Sequence, residues 1–143
     1  LMYRKNIKAY TTQNLQSELA VADPYRVIQL LMQGCLERLA QARGAIERRD
    51  FEAKSQSISK TMAIINGLQD SLDLSYGKVP EDLFALYDYM KVRMMDASRD
   101  MDMAAIDEVM NLMLTIKSGW DAIPVEMREK ALAQQHIGRQ NEL

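Results

Sequence analysis

Only three prolines occur in 143 residues, and each stands where a helix would begin, in Asp23-Pro24, Pro80-Glu81-Asp82 and Ile123-Pro124 ahead of Glu126. Proline in the first helical turn gives up no needed N–H, and acidic neighbours suit the positive end of the helix dipole. The prolines therefore mark starts and not breaks. The long proline-free stretches between them restrict the chain to a few long helices.

Hydrophobic spacing fills those stretches. From Pro24 the residues Ile28, Leu31, Cys35, Leu39, Ala42 and Ile46 recur at steps of three and four, which is one helical face ending near Arg49. A second helix is predicted from Phe51 to about Leu74, with Ile58, Met62, Ile65 and Leu72 inward and Ser75-Tyr76-Gly77 as its stop. The third runs from Pro80 to about Arg99 on Leu83, Leu86, Tyr87, Met90, Met94 and Ala97, and the fourth from Met103 to Ile123 on Ile106, Met110, Met113 and Trp120. No segment alternates with period two. The prediction is an all-α, antiparallel four-helix bundle over residues 23–123. Residues 1–22, with sparse apolar positions such as Ile7, Tyr10 and Leu15, read as an N-terminal arm. Residues 124–143 read as a tail, helical or disordered, with little to bury.

Charge and residue inventory exclude several functions. A net charge of −2 leaves no basic excess for phosphate neutralisation, so no nucleic-acid partner is expected, and Arg48 and Arg49 read as compensation at a helix C-terminus. The longest charge-free run, Val27 to Leu36, is about half of a membrane span, so no membrane insertion is expected. Arg4, Lys5 and Lys8 have no apolar region behind them, so no cleaved secretory signal is expected. Cys35 lies among leucines and reads as a small buried hydrophobe in a reducing cytoplasm. A di-metal bundle needs Glu-x-x-His on two helices, and the single histidine is His136 in the tail. Glycine-rich phosphate loops and Gly-x-Ser-x-Gly are absent, so no metal, cofactor or enzymatic activity is expected.

What remains is a surplus of adaptable apolar surface. Seven of eleven methionines fall between Met90 and Met113, and the thioether side chain packs around many shapes. On the fourth helix Val109, Leu112, Leu114 and Ile116, together with the core-facing residues, sweep about 200° at roughly 100° per residue, more than two bundle neighbours cover. Ile64 and Leu68 lie off the main face of the second helix, and Tyr89 and Arg93 flank Leu86 on the third, where neither is needed to fill the bundle. Core packing and a groove for amphipathic segments both account for such stripes.

The run Leu86-Tyr87-Asp88-Tyr89-Met90 followed by Arg93 resembles the signature of the flagellin-specific export chaperones of the bacterial flagellar secretion system. Ala22-Asp23-Pro24 leading to Ile28, Leu31 and Gly34 is similar to that family's first-helix opening. Ala42, Ala45, Ile46, Asp50 and Lys54 resemble its first turn, Ile65, Leu68, Leu72 and Gly77 its second helix and stop, and Asp107-Glu108-Val109 through Trp120 its last helix. Met32 and Val92 depart from the pattern, standing where an aromatic and an arginine are common. The resemblance implies a cytoplasmic, all-helical chaperone that binds the disordered C-terminal segment of flagellin, prevents early polymerisation and presents it to components of the export gate. It also implies an N-terminal arm that covers part of the groove when flagellin is absent. The flagellin-binding residues expected on these grounds are Ile7, Tyr10, Ile64, Leu68, Leu86, Tyr89, Arg93, Leu112 and Ile116. The alternative is a structural bundle that uses the same stripe to self-associate, visible as a weak homodimer without any client.

Overall fold

The computed structural model describes residues 23–133. Four long helices, α1 (Pro24–Arg48), α2 (Phe51–Asp70), α3 (Lys78–Asp100) and α4 (Met103–Asp121), follow one another up and down. Contacts run between α1 and α2, α2 and α3, α3 and α4, and α4 and α1, so the bundle closes as a ring. The seams α1/α2 and α3/α4 therefore lie on opposite sides.

Two of the turns share a mechanism. α1 ends on Arg49 and α3 on Met101, both in the left-handed region, and the next residue, Asp50 or Asp102, caps the following helix through its carboxylate. Asp50 accepts from the Ala53 amide, and Asp102 from those of Ala104 and Ala105. Asp23 does the same for α1 by accepting from the Arg26 amide. The α2–α3 connection differs from expectation. α2 stops at Asp70 and not near Leu74, because Ser71 donates its hydroxyl to the Leu68 carbonyl and Asp73 takes both the amide and the hydroxyl of Ser75. A 3₁₀ turn at Leu74–Tyr76 follows, and Gly77, at φ 108°, hands the chain to α3. α3 begins two residues ahead of Pro80, which costs nothing because an N–H in the first turn has no intrahelical partner.

The core is lined by Tyr25, Ile28, Met32, Cys35, Leu39, Ala42 and Ile46 from α1, and by Tyr87, Met90, Met94 and Ala97 from α3. α2 adds Ile58, Ile65 and Leu68, and α4 adds Ala105, Ile106, Val109, Met113 and Trp120. Leu31, Met62, Leu83, Leu86 and Met110, expected inside, are only partly buried and pack against the core from its flanks. At one end Tyr25 and Trp120 stack with ring centroids 5.1 Å apart. The Tyr25 hydroxyl donates to the Trp120 carbonyl at 2.6 Å, and the Trp120 indole N–H donates to the Tyr25 carbonyl at 3.1 Å. Beyond α4 a 3₁₀ turn (Val125–Met127) leads to the short helix α5 (Arg128–Leu132), which returns to α1. Ala131 and Leu132 rest on the core, and the Arg128 guanidinium lies 4.0 Å from the Tyr25 ring centroid. The start of the expected tail thus does bury apolar surface. Trp120→Ala removes the stack and leaves a cavity, and is expected to cost about 3 to 5 kcal/mol in urea unfolding. A loss within experimental error would contradict the anchoring role.

Candidate functional site

The α3/α4 seam gathers Tyr89, Arg93, Leu112 and Ile116 from that surplus, while Val109, Met90, Met94 and Met113 are fully buried in the core. Tyr89 and Arg93 are four residues apart on α3 and so share one flank. Both reach Glu108 of α4: the Tyr89 hydroxyl donates to Oε2 at 2.5 Å and Arg93 Nε donates to Oε1 at 2.7 Å. Arg93 also donates to Asp96 at 2.9 Å and lies 3.9 Å from Asp102, with its side chain 24% exposed. It is therefore an ion-pair node joining α3 to α4.

Because the two helices run antiparallel, moving toward the start of α3 moves toward the end of α4. Leu86 and Leu112 come next in register and are half-buried, followed by Leu83 and Ile116. Past them the seam opens into a hollow of about 330 Å³. Met32, Tyr87 and Trp120, all buried, contribute to its lining, while Val79, Leu83, Ile116, Ile123 and Ala131 line it from α3, α4 and the returning chain. At Gly119 nothing stands within 4 Å of where a Cβ would lie, so this edge of the hollow is open. The hollow can accept an apolar side chain from a partner, and the polar cluster beside it can orient one.

The cluster shapes its own acid–base chemistry. The Tyr89 hydroxyl, and after it Arg93, hold the Glu108 carboxyl below the usual range. The hydrogen bond to Glu108 in turn keeps the Tyr89 phenol protonated to higher pH than usual. Burial pushes the Cys35 thiol up to about 12, which makes it a poor nucleophile. Among the described residues, no group of three potential ligands is placed to hold a metal ion, and no helix is long and apolar enough to cross a membrane.

Five of the expected binding residues, Leu86, Tyr89, Arg93, Leu112 and Ile116, thus fall along the α3/α4 seam. Ile64 does not: it is half-buried on the opposite α1/α2 seam, its Cδ1 3.6 Å from where a Cβ on Gly34 would lie. Leu68 is a core residue, 1% exposed, which corrects its expected position off the main face. α2 packs against both α1 and α3, and this widens its buried arc to include position 68. Ile7 and Tyr10 lie outside the described residues. Sequence reasoning missed Val79, Ile123 and Ala131 as hollow-lining residues and Glu108 as the partner of Tyr89 and Arg93. The adjacent pair Ala131-Leu132 was the one signal for the returning chain, too short to show a period.

The model of the family described as "Flagellar protein FliS" matches residues 6–127. The flagellar secretion chaperone FliSB of Pseudomonas aeruginosa is 45% identical over 120 residues, covering 83% of this chain and 95% of that protein. The flagellar secretion chaperone FliS of Salmonella typhimurium is 37% identical over 119 residues, 82% of this chain and 88% of that protein. That of Vibrio cholerae is 31% identical over 132 residues, covering 92% and 97% respectively.

A carboxyl whose folded pKa is depressed contributes stability that is present above its unfolded pKa and lost as pH falls through the folded one. The stability difference between the protein and its Glu108→Gln variant should therefore be constant above about pH 5 and shrink on acidification below the ordinary glutamate value of about 4.3. Urea unfolding of both proteins from neutral to acid pH checks this, and a difference that grows on acidification would contradict it.

Proposed function

This chain belongs to the FliS family of flagellar secretion chaperones, and from that premise we propose that it binds the disordered C-terminal segment of flagellin on the α3/α4 seam. The observation that carries the reading is the open apolar hollow of about 330 Å³ continuous with the half-buried Leu86, Leu112 and Ile116. A client segment with regular apolar positions would otherwise expose them to other copies of itself. Seating them in the hollow offsets the cost of ordering the segment. Tyr89 and Arg93, held by Glu108, present a ring and a guanidinium beside the apolar stripe, the residue types that anchor interfaces.

The chaperone works in the cytoplasm, needs no nucleotide, and releases the client when components of the export gate compete for it. Ile7 and Tyr10 of the N-terminal arm cover part of the same groove in the absence of flagellin. Binding and release require no covalent step, in keeping with a family of chaperones and not of enzymes.

Gly119→Leu tests the site without removing any contact of the fold, because the position is open and leucine is the better helix former. The variant should melt no lower than the parent. Calorimetric affinity for a flagellin C-terminal peptide should fall at least tenfold, which is about 1.4 kcal/mol. Unchanged affinity would remove the hollow from the client site. A mass that rises with concentration, together with no peptide binding by the parent, would favour the self-associating bundle instead.

A further inference from the structure

The α1/α2 side of the bundle carries a feature that flagellin binding on the α3/α4 seam does not use. A shallow trench of about 340 Å³ runs there between the last turns of α1 and the first turns of α2. Three cations line it, Arg38 and Arg48 from α1 and Lys60 from α2, and no carboxylate does. Arg43, Lys78, Lys91, Arg93, Arg99 and Lys117 each pair with an Asp or Glu. Arg38, Arg48 and Lys60 form no ion pair among the described residues, and Arg38 meets only the Gln41 amide, at 3.1 Å. A chain of net charge −2 has therefore placed three uncompensated positive charges around one depression.

The ordinary explanation covers one of the three. Arg48 lies in the last turn of α1, where it complements the helix dipole. Arg38 and Lys60 sit well inside their helices and gain nothing from that effect. The floor is built for close approach: Ala40, Gly44 and Ala53 keep it low, and the Arg48 guanidinium folds back so far that a Cβ on Gly44 would lie 3.0 Å from Nη1. Gln41 and Gln56 add amides that can donate to carboxylates or to a backbone.

We propose that this trench docks an acidic segment of a partner polypeptide, with Arg38, Arg48 and Lys60 pairing with successive carboxylates. The spacing favours a segment over a single small anion. Its lining runs from Arg38 to Arg48, about 15 Å along the axis of α1, a length that a peptide with successive carboxylates fills and one small anion does not. The trench shares no residue with the α3/α4 hollow, so this inference and the flagellin reading stand or fall separately.

The test uses the full chain and a fluorescein-labelled peptide of sixteen alternating Glu and Ala residues, titrated by anisotropy at low salt. Binding should weaken at least tenfold in the Arg38→Gln, Arg48→Gln, Lys60→Gln triple variant. It should change less than twofold in an Arg26→Gln, Lys78→Gln, Lys130→Gln variant of equal charge, and the amides of Gly44, Ala53 and Ser57 should shift on adding peptide to the parent. The acidic peptide also leaves the hollow intact, so Gly119→Leu should not affect it. Equal losses in the two triple variants would overturn the proposal in favour of diffuse attraction. So would absence of peptide binding, or inorganic phosphate shifting the same amides when the peptide does not.

Discussion

The bundle depends on one reciprocal contact between its ends. Tyr25, at the start of α1, and Trp120, at the end of α4, stack on each other, and each donates its polar hydrogen to the other's backbone carbonyl. These residues are 95 positions apart, so the contact closes the ring of helices at the cost of ordering almost the whole domain. Two large rings bury their area while leaving neither polar tip unpaired. The neighbouring structure follows from this closure. Arg128 rests on the outer face of Tyr25, which returns α5 to α1, and Trp120 becomes a wall of the hollow that α5 and Ile123 rim.

The same closure leaves the α3/α4 seam unfinished. Ala105, Ile106, Val109, Met113 and Trp120 already fill the core from α4, so Leu112 and Ile116 stay half-exposed beside Leu86 and Leu83 of α3. The polar end of the seam prevents those helices from sliding to cover the gap, because Glu108 accepts from both Tyr89 and Arg93. Fixed register and an unfilled hollow are what a client-binding surface needs: a pre-formed site with a few oriented polar groups. On the far side, the small floor and unpaired cations of the α1/α2 trench form a surface of different chemistry, polar where the seam is apolar.

Much of this was legible in the sequence where local rules decide the outcome. Pro24 behind Asp23 gave the start of α1, because capping is a contact between near neighbours. The early stop of α2 was not legible, since it turns on Ser71 and Asp73 choosing backbone partners that a hydrophobic pattern cannot show. Leu68 moved into the core because α2 has two packing neighbours, and periodicity measures the width of a face but not how many helices cover it. Tyr89, Leu112 and Ile116 were read as lying beyond one core face, and none of the three is buried. The contact between Arg93 and Glu108 was not legible, because the two stand on different helices. The run Leu86-Tyr87-Asp88-Tyr89-Met90 identified the family before any contact was known, and residues 6–127 match that family.

The central claim is that the client occupies the hollow of the α3/α4 seam. Methyl NMR on protein labelled at Met, Ile and Ala reads this directly, because the hollow is lined by Met32, Ile116, Ile123 and Ala131 while Ile64 and Met62 lie on α2 away from it. On saturation with a flagellin C-terminal peptide, the account predicts shifts at those four methyl-bearing residues and little change at Ile64 and Met62. Shifts confined to Ile64 and Met62, with the four hollow residues unmoved, would contradict it.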